Sequence, residues 1–137
     1  FFNLMAMIAE RPDLVTVSTN SAYSNVMSKK LSQRMERVSK HIQANYQRAI
    51  TLNEIADIAS MTEQSFSRWF RQTSGLTFID YLMQLRTTVA SHLLINTSKP
   101  MTEVATESGF NSSSSFNRAF LKIKGCSPRE FRKRKRV

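Results

Sequence analysis

From Leu31 onward, apolar residues recur at Leu31, Met35, Val38, Ile42 and Tyr46, the spacing that gathers them on one face of a helix. Gln, Arg and Lys fill the opposite face. Thr51, Leu52, Asn53 and Glu54 then form a capping box, in which the Thr hydroxyl accepts from the Glu54 backbone N–H and the Glu54 carboxylate reaches back. A second helix therefore starts at about Leu52, carries Ile55, Ala56 and Ala59 inward, and stops near residues 60–62. Thr62 caps a third, EQSFSRWFRQTSG, which Gly75 closes. Thr77 and Asp80 repeat the cap-and-acid pattern and open a long helix, with Phe78, Tyr81, Leu82, Leu85, Val89 and Leu93 on its apolar stripe. That helix ends at Asn96 to Pro100, and Pro100 suits the first turn of the next, MTEVATES, which Gly109 terminates. Beyond a run of serines, Phe116, Ala119, Phe120 and Ile123 return at helical spacing before Gly125, with Asn111 or Ser112 as the cap. Ser127, Pro128, Arg129 and Glu130 combine a capping box with Pro at the first helical position, so a last helix follows. Strict strand alternation occurs only in VTVST at residues 15–19.

The two halves of this pattern superimpose. Ile55, Ala56, Ser60 and Met61 correspond to Val104, Ala105, Gly109 and Phe110. Past the turn the register shifts by one residue, inside the serine run, and Phe66, Arg68, Phe70, Gly75, Thr77, Asp80 and Tyr81 correspond to Phe116, Arg118, Phe120, Gly125, Ser127, Glu130 and Phe131. Each copy has the features of a helix-turn-helix: a small residue where two helices cross (Ala56, Ala105), a turn residue (Ser60, Gly109) and a bulky apolar plug (Met61, Phe110). The fold expected is all-α, with two helix-turn-helix subdomains joined by a long central helix and preceded by a short helical or linker segment. The boundaries implied are residues 1–30 for that segment, 31–76 for the first subdomain, 77–98 for the connecting helix and 99–137 for the second subdomain with its basic tail. At about 1.5 Å per residue, a helix over residues 78–96 is roughly 28 Å long, close to the roughly 34 Å between successive major-groove faces on one side of a duplex.

Charge gives this architecture its chemistry. The chain carries a formal net charge of +10, and Glu10 and Asp13 outweigh Arg11 in residues 1–28, so the excess lies downstream. It ends in the run Arg132, Lys133, Arg134, Lys135 and Arg136, which reads either as a solvated tail or as a set of phosphate contacts. A surface this basic attracts polyanions. One cysteine excludes an internal disulfide and fits a reducing, cytoplasmic setting, and with only two histidines no metal or cofactor site is expected. The opening FFNLMAMIA is too short to span a bilayer and no basic region precedes it, so no membrane partner is expected.

A helix-turn-helix holds its second helix in the major groove, where Arg forks onto guanine O6 and N7 and Asn or Gln onto adenine N6 and N7. The outward positions of the first such helix are Glu63, Gln64, Ser67, Arg68, Arg71 and Gln72; those of the second are Ser113, Ser114, Asn117, Arg118, Leu121 and Lys122. Arg68 and Arg118 are the leading candidates for base contact, followed by Gln64, Ser67 and Asn117. Thr62, Arg71, Ser112, Ser113, Lys122 and Lys124 are the candidates for phosphate contact. Serines discriminate bases weakly, so the second unit is expected to bind less selectively than the first.

The segments ITLNEIADIASMTEQSFSRWFRQTSGLTFIDYLMQLR and MTEVATESGFNSSSSFNRAFLKIKGCSPREFR resemble the AraC/XylS family of bacterial transcription regulators, over about residues 32–135. The resemblance implies sequence-specific binding of double-stranded DNA by two units in adjacent major-groove segments, and activation through contact with RNA polymerase. Carried over by position, Gln64, Ser67 and Arg68, with Ser114, Ser115 and Arg118, look like the base-facing set. Leu121 departs from the family pattern, where a basic residue is usual. By the same resemblance, residues 1–28 look like the end of an upstream sensor domain, with FFNLMAMIAERPD as an amphipathic helix and VTVSTNSAYSN as linker, and homodimerisation would then use a domain absent from this chain. The same residues could instead pack on their own DNA-binding domain.

Two other readings compete. A sequence-blind architectural protein for DNA or RNA would need only the charge. A methyl-accepting repair enzyme would need a reactive thiol, yet Cys126 lies between Gly125 and Ser127 with no CxxC or His partner nearby and reads as a small buried residue. The expectation is therefore a non-enzymatic regulator.

Overall fold

The computed structural model describes residues 21–135. These form seven helices and no strand: α1 (Ser21–Asn45), α2 (Leu52–Ile58), α3 (Glu63–Ser74), α4 (Phe78–Asn96), α5 (Met101–Glu107), α6 (Ser113–Lys124) and α7 (Pro128–Lys135). The all-α expectation holds for this span. The helix expected in FFNLMAMIAERPD, the VTVST alternation and Arg136 of the basic run lie outside the described residues.

Capping residues set the helix starts where local chemistry requires them. The Thr51 hydroxyl accepts from the Glu54 N–H at 3.1 Å and that of Thr62 from Ser65 at 3.2 Å. The Ser112 hydroxyl accepts from Ser115 at 3.0 Å and that of Ser127 from Glu130 at 3.1 Å. Ser112, not Asn111, is thus the cap of α6. Gly75 and Gly125 close α3 and α6 in the left-handed conformation, donating back to Arg71 and Leu121. Two boundaries differ from expectation. Pro100 flanks α5 as an extended residue instead of sitting in its first turn. Helix α1 begins at Ser21, so residues 21–30, expected as linker, are helical. Residues 25–33 are exposed, so no buried face marked that stretch; it contains neither Gly nor Pro and extends a helix anchored further along, where adding each turn is easy.

The described chain divides into two units, the first comprising residues 21–44 and Ile50–Phe78, the second Asn45–Ala49 and residues 79–135. In the first, Met35, Val38 and Ile42 of α1 are buried, as are Ile55 and Ala56 of α2. Phe66 and Phe70 of α3 and Phe78 form an aromatic cluster with centroids 5.5–6.1 Å apart, the near-perpendicular contacts falling on Phe78. In the second unit, Ala90 and Leu94 of α4 pack with Val104, Ala105, Phe110, Phe116 and Phe120, and Phe131 of α7 closes on Phe120 at 5.2 Å. Expectation placed Val89 and Leu93 on the buried stripe of α4, but these are half-buried, while Ala90 and Leu94 are buried along with the polar Arg86, Thr87 and Ser91. Hydrophobic periodicity cannot register a helix that also buries polar groups. Arg86, only 7% exposed, donates from Nε to the Tyr46 carbonyl and from Nη2 to that of Arg48, both at 2.9 Å. Burial lowers its pKa from the ordinary guanidinium value.

The repeat extends to individual hydrogen bonds. Met61 N–H donates to the Ala56 carbonyl and Phe110 N–H to that of Ala105, each at 2.9 Å. Ser60 and Gly109 donate to Asp57 and Thr106, and both have positive φ, 59° and 98°. Ser60 is the sole non-glycine in that region among the described residues, a conformation that costs a residue with a Cβ about 1–2 kcal/mol. Ser60→Gly should therefore raise stability by about 0.5 kcal/mol, the relief being offset in part by glycine's larger unfolded-state entropy. A denaturant midpoint at or below that of the parent would contradict this.

Candidate nucleic-acid interface

Phe66 and Phe70 anchor α3 by one face, and Phe116 and Phe120 anchor α6 by the matching one. Those anchors turn Glu63, Gln64, Ser67, Arg68, Arg71 and Gln72 outward on α3, and Ser113, Ser114, Asn117, Arg118, Leu121, Lys122 and Lys124 outward on α6; all are exposed. Among the described residues neither Arg68 nor Arg118 takes part in a hydrogen bond or ion pair, so both guanidinium groups keep their forked donors for an external acceptor. Each lies one helical turn beyond an exposed Gln64 or Ser114 and beside an exposed Ser67 or Asn117.

Some candidates have local duties as well. Thr62 and Ser112 spend a hydroxyl lone pair on capping their helices. Ser115 is half-buried and its Oγ accepts from the Ser112 hydroxyl at 3.1 Å, so it faces the helix start more than the open face. Lys124 Nζ lies 5.9 Å from the centre of the Phe131 ring, an arrangement that steers the ammonium without removing it from water. The first turn of α3 holds Glu63, whereas that of α6 holds no acid. The N-terminal end of α6 thus meets an approaching phosphate with no carboxylate in its way.

The basic tail is not uniform. Residues 132–135 continue α7 as helix, and Arg132 turns inward: Nε donates to the Leu94 carbonyl at 3.0 Å, Nη1 to Lys99 at 2.8 Å and Nη2 to Thr97 at 3.2 Å. Arg132 therefore satisfies one open carbonyl in the last turn of α4 and two in the segment just beyond it, correcting its expected place in a tail that is either solvated or bound to phosphate. Arg134 pairs with Glu130 at 3.6 Å on the surface, and Arg129 and Lys133 are exposed. Sequence reading missed the structural parts of Arg86 and Arg132 because their partners are carbonyls far along the chain; the one local sign of the first is that no other Asp, Glu, Lys or Arg lies between Asp80 and Lys99.

His41 Nε2 lies 2.6 Å from the Glu54 carboxylate, tying α1 to α2, and Cys126 is buried. The described residues contain no cluster of metal-ligating side chains and no helix long and apolar enough to cross a membrane.

Known proteins share this arrangement. A family model described as a helix-turn-helix domain matches residues 55–134. The RCS-specific HTH-type transcriptional activator RclR of Escherichia coli is 33% identical over 129 residues, covering 94% of this chain and 44% of that protein. The bifunctional transcriptional activator/DNA repair enzyme AdaA of Bacillus subtilis is 29% identical over 101 residues, 74% of this chain and 48% of that protein. The chain thus spans less than half the length of these curated relatives. Among solved structures, the DNA-binding domain of the global transcriptional factor AdpA, in complex with a target DNA, superimposes with a TM-score of 0.69 at 26% identity, covering 72% of this chain and 89% of that one.

Proposed function

Because this chain belongs to the AraC-type helix-turn-helix family, we propose that it binds double-stranded DNA sequence-specifically through α3 and α6, each set into its own major-groove segment, and so regulates bacterial transcription. The observation that carries this reading is the pair of unpartnered guanidinium groups, Arg68 and Arg118, at equivalent places on two anchored helices. Beside them stand the residue types that read base edges: Gln64 and Ser67 on α3, and Ser114, Ser115 and Asn117 on α6. Thr62, Arg71, Ser112, Ser113, Lys122 and Lys124 supply phosphate contacts that set register and affinity. In this reading residues 31–76 and 99–137 are the two DNA-binding subdomains, each with its own recognition helix, and residues 77–98 connect them. Dimerisation of the full protein and activation through RNA polymerase in the cytoplasm complete this reading. Burial of Cys126 favours a regulator over a methyl-accepting enzyme.

Substitution separates reading from holding. Arg68→Ala and Arg118→Ala should each cost about 1–3 kcal/mol of discrimination between a preferred and a scrambled duplex. Lys122→Ala should weaken binding to both duplexes alike and reduce the salt slope by about one counterion. Competition binding at fixed salt gives these quantities. If both Arg variants kept the parent's preference, the protein would be the sequence-blind architectural binder that its charge alone would allow.

A further inference from the structure

Two large apolar residues of α6 are exposed, Ile123 only marginally at 36% and Leu121 far more. Leu121 is 56% exposed in the middle of a stripe otherwise made of hydroxyl, amide and basic groups. It lies one turn beyond Asn117 and Arg118, on the side of the helix away from Phe116 and Phe120. The chain supplies its own comparison, since Arg71 occupies the equivalent place on α3, also exposed. Where the first unit has a cation suited to phosphate, the second has a branched hydrocarbon. Phosphate gives a leucine nothing, and water leaves its apolar surface unburied at a cost. The apolar group that a major groove offers is the C5-methyl of thymine. The first turn of α6 consists of small serines, where the first turn of α3 has the longer Glu63 and Gln64, so less bulk there would separate α6 from a groove floor.

We propose that Leu121 is a specificity residue that reads a thymine methyl in the half-site bound by α6. The inference rests on the DNA-binding function proposed above. One turn of helix is about 5.4 Å and one base step about 3.4 Å, so that thymine lies one or two base pairs from the base contacted by Arg118. It follows that the second unit, whose serines discriminate weakly, gains part of its selectivity from a contact that salt does not screen.

The test uses the 137-residue chain and its preferred duplex, with each thymine of the α6 half-site replaced in turn by deoxyuridine, which removes only the methyl. For the parent, one such replacement within two base pairs of the Arg118 contact should weaken binding about fourfold, the effect of burying one methyl group. In Leu121→Ala that difference should vanish, with the thymine duplex now bound about as weakly as the deoxyuridine one. Leu121→Arg should regain affinity through phosphate, steepen the salt dependence by about one counterion, and still not distinguish the two duplexes. A parent that binds every deoxyuridine duplex as tightly as the thymine duplex would overturn the assignment while leaving sequence-specific binding intact. So would a Leu121→Ala variant that retained the difference. Absence of any preferred duplex would remove both the assignment and the function beneath it.

Discussion

Gly109→Ala should lower the stability of the protein by more than about 3 kcal/mol, the largest single effect expected here. Two independent costs combine at that position. Its φ of 98° lies where a residue with a Cβ is strained, and a Cβ built there would stand 2.2 Å from the Tyr46 carbonyl oxygen and 2.8 Å from Arg86 Nε. Neither neighbour can retreat cheaply, because the same Nε donates to the same carbonyl at 2.9 Å. Moving them would strand a buried guanidinium that has been taken out of water. Gly125 supplies the control: its φ is 80°, yet nothing lies within 4 Å of a Cβ placed on it. Gly125→Ala should therefore cost only the backbone strain, about 1 kcal/mol. Denaturant unfolding of the two variants measures the difference, and equal losses would show that the close approach at the second turn is unimportant.

Arg132→Met should cost about 2 kcal/mol, because three carbonyls at and beyond the end of α4 lose charge-assisted donors in a partly buried setting. Arg132→Lys should recover less than half of this, since one ammonium cannot fork to all three. The salt dependence of DNA binding should stay that of the parent in both variants, unlike the shallower slope expected for Lys122→Ala. A stable Arg132→Met variant with a reduced salt slope would return this residue to the set of phosphate contacts. The outcome matters because charge counting alone would credit every residue of the terminal basic run to DNA.

Much of the fold was legible because its signals are local. Thr51, Thr62, Ser112 and Ser127 each receive the backbone N–H three residues ahead, a geometry that needs no tertiary partner. The repeat was legible for a similar reason, since two turns that close with the same hydrogen bonds demand small, glycine-like and plug residues in the same order. What escaped depends on neighbours remote in sequence or on a missing apolar face. Residues 21–30 are helical, and residues 25–30 of that stretch are exposed, so they carry no buried face that periodicity could detect. Ala90 gives a weaker hydrophobic signal than Val89, yet its small side chain is the one that is fully buried. Arg132 read as part of a basic tail and Arg86 carried no signal beyond its isolation among uncharged residues, and only their long-range carbonyl partners reveal both as structural. At the site, the outward direction of Arg68, Arg118 and their neighbours followed from the Phe anchors, whereas the inward lean of Ser115 depended on which residue capped α6.

The most direct test of the central claim is selection of bound duplexes from a random pool by the 137-residue chain. Two unlike half-sites about one helical turn apart are predicted, one losing its information in Arg68→Ala and the other in Arg118→Ala. A pool that remains random, with binding governed by salt alone, would contradict it.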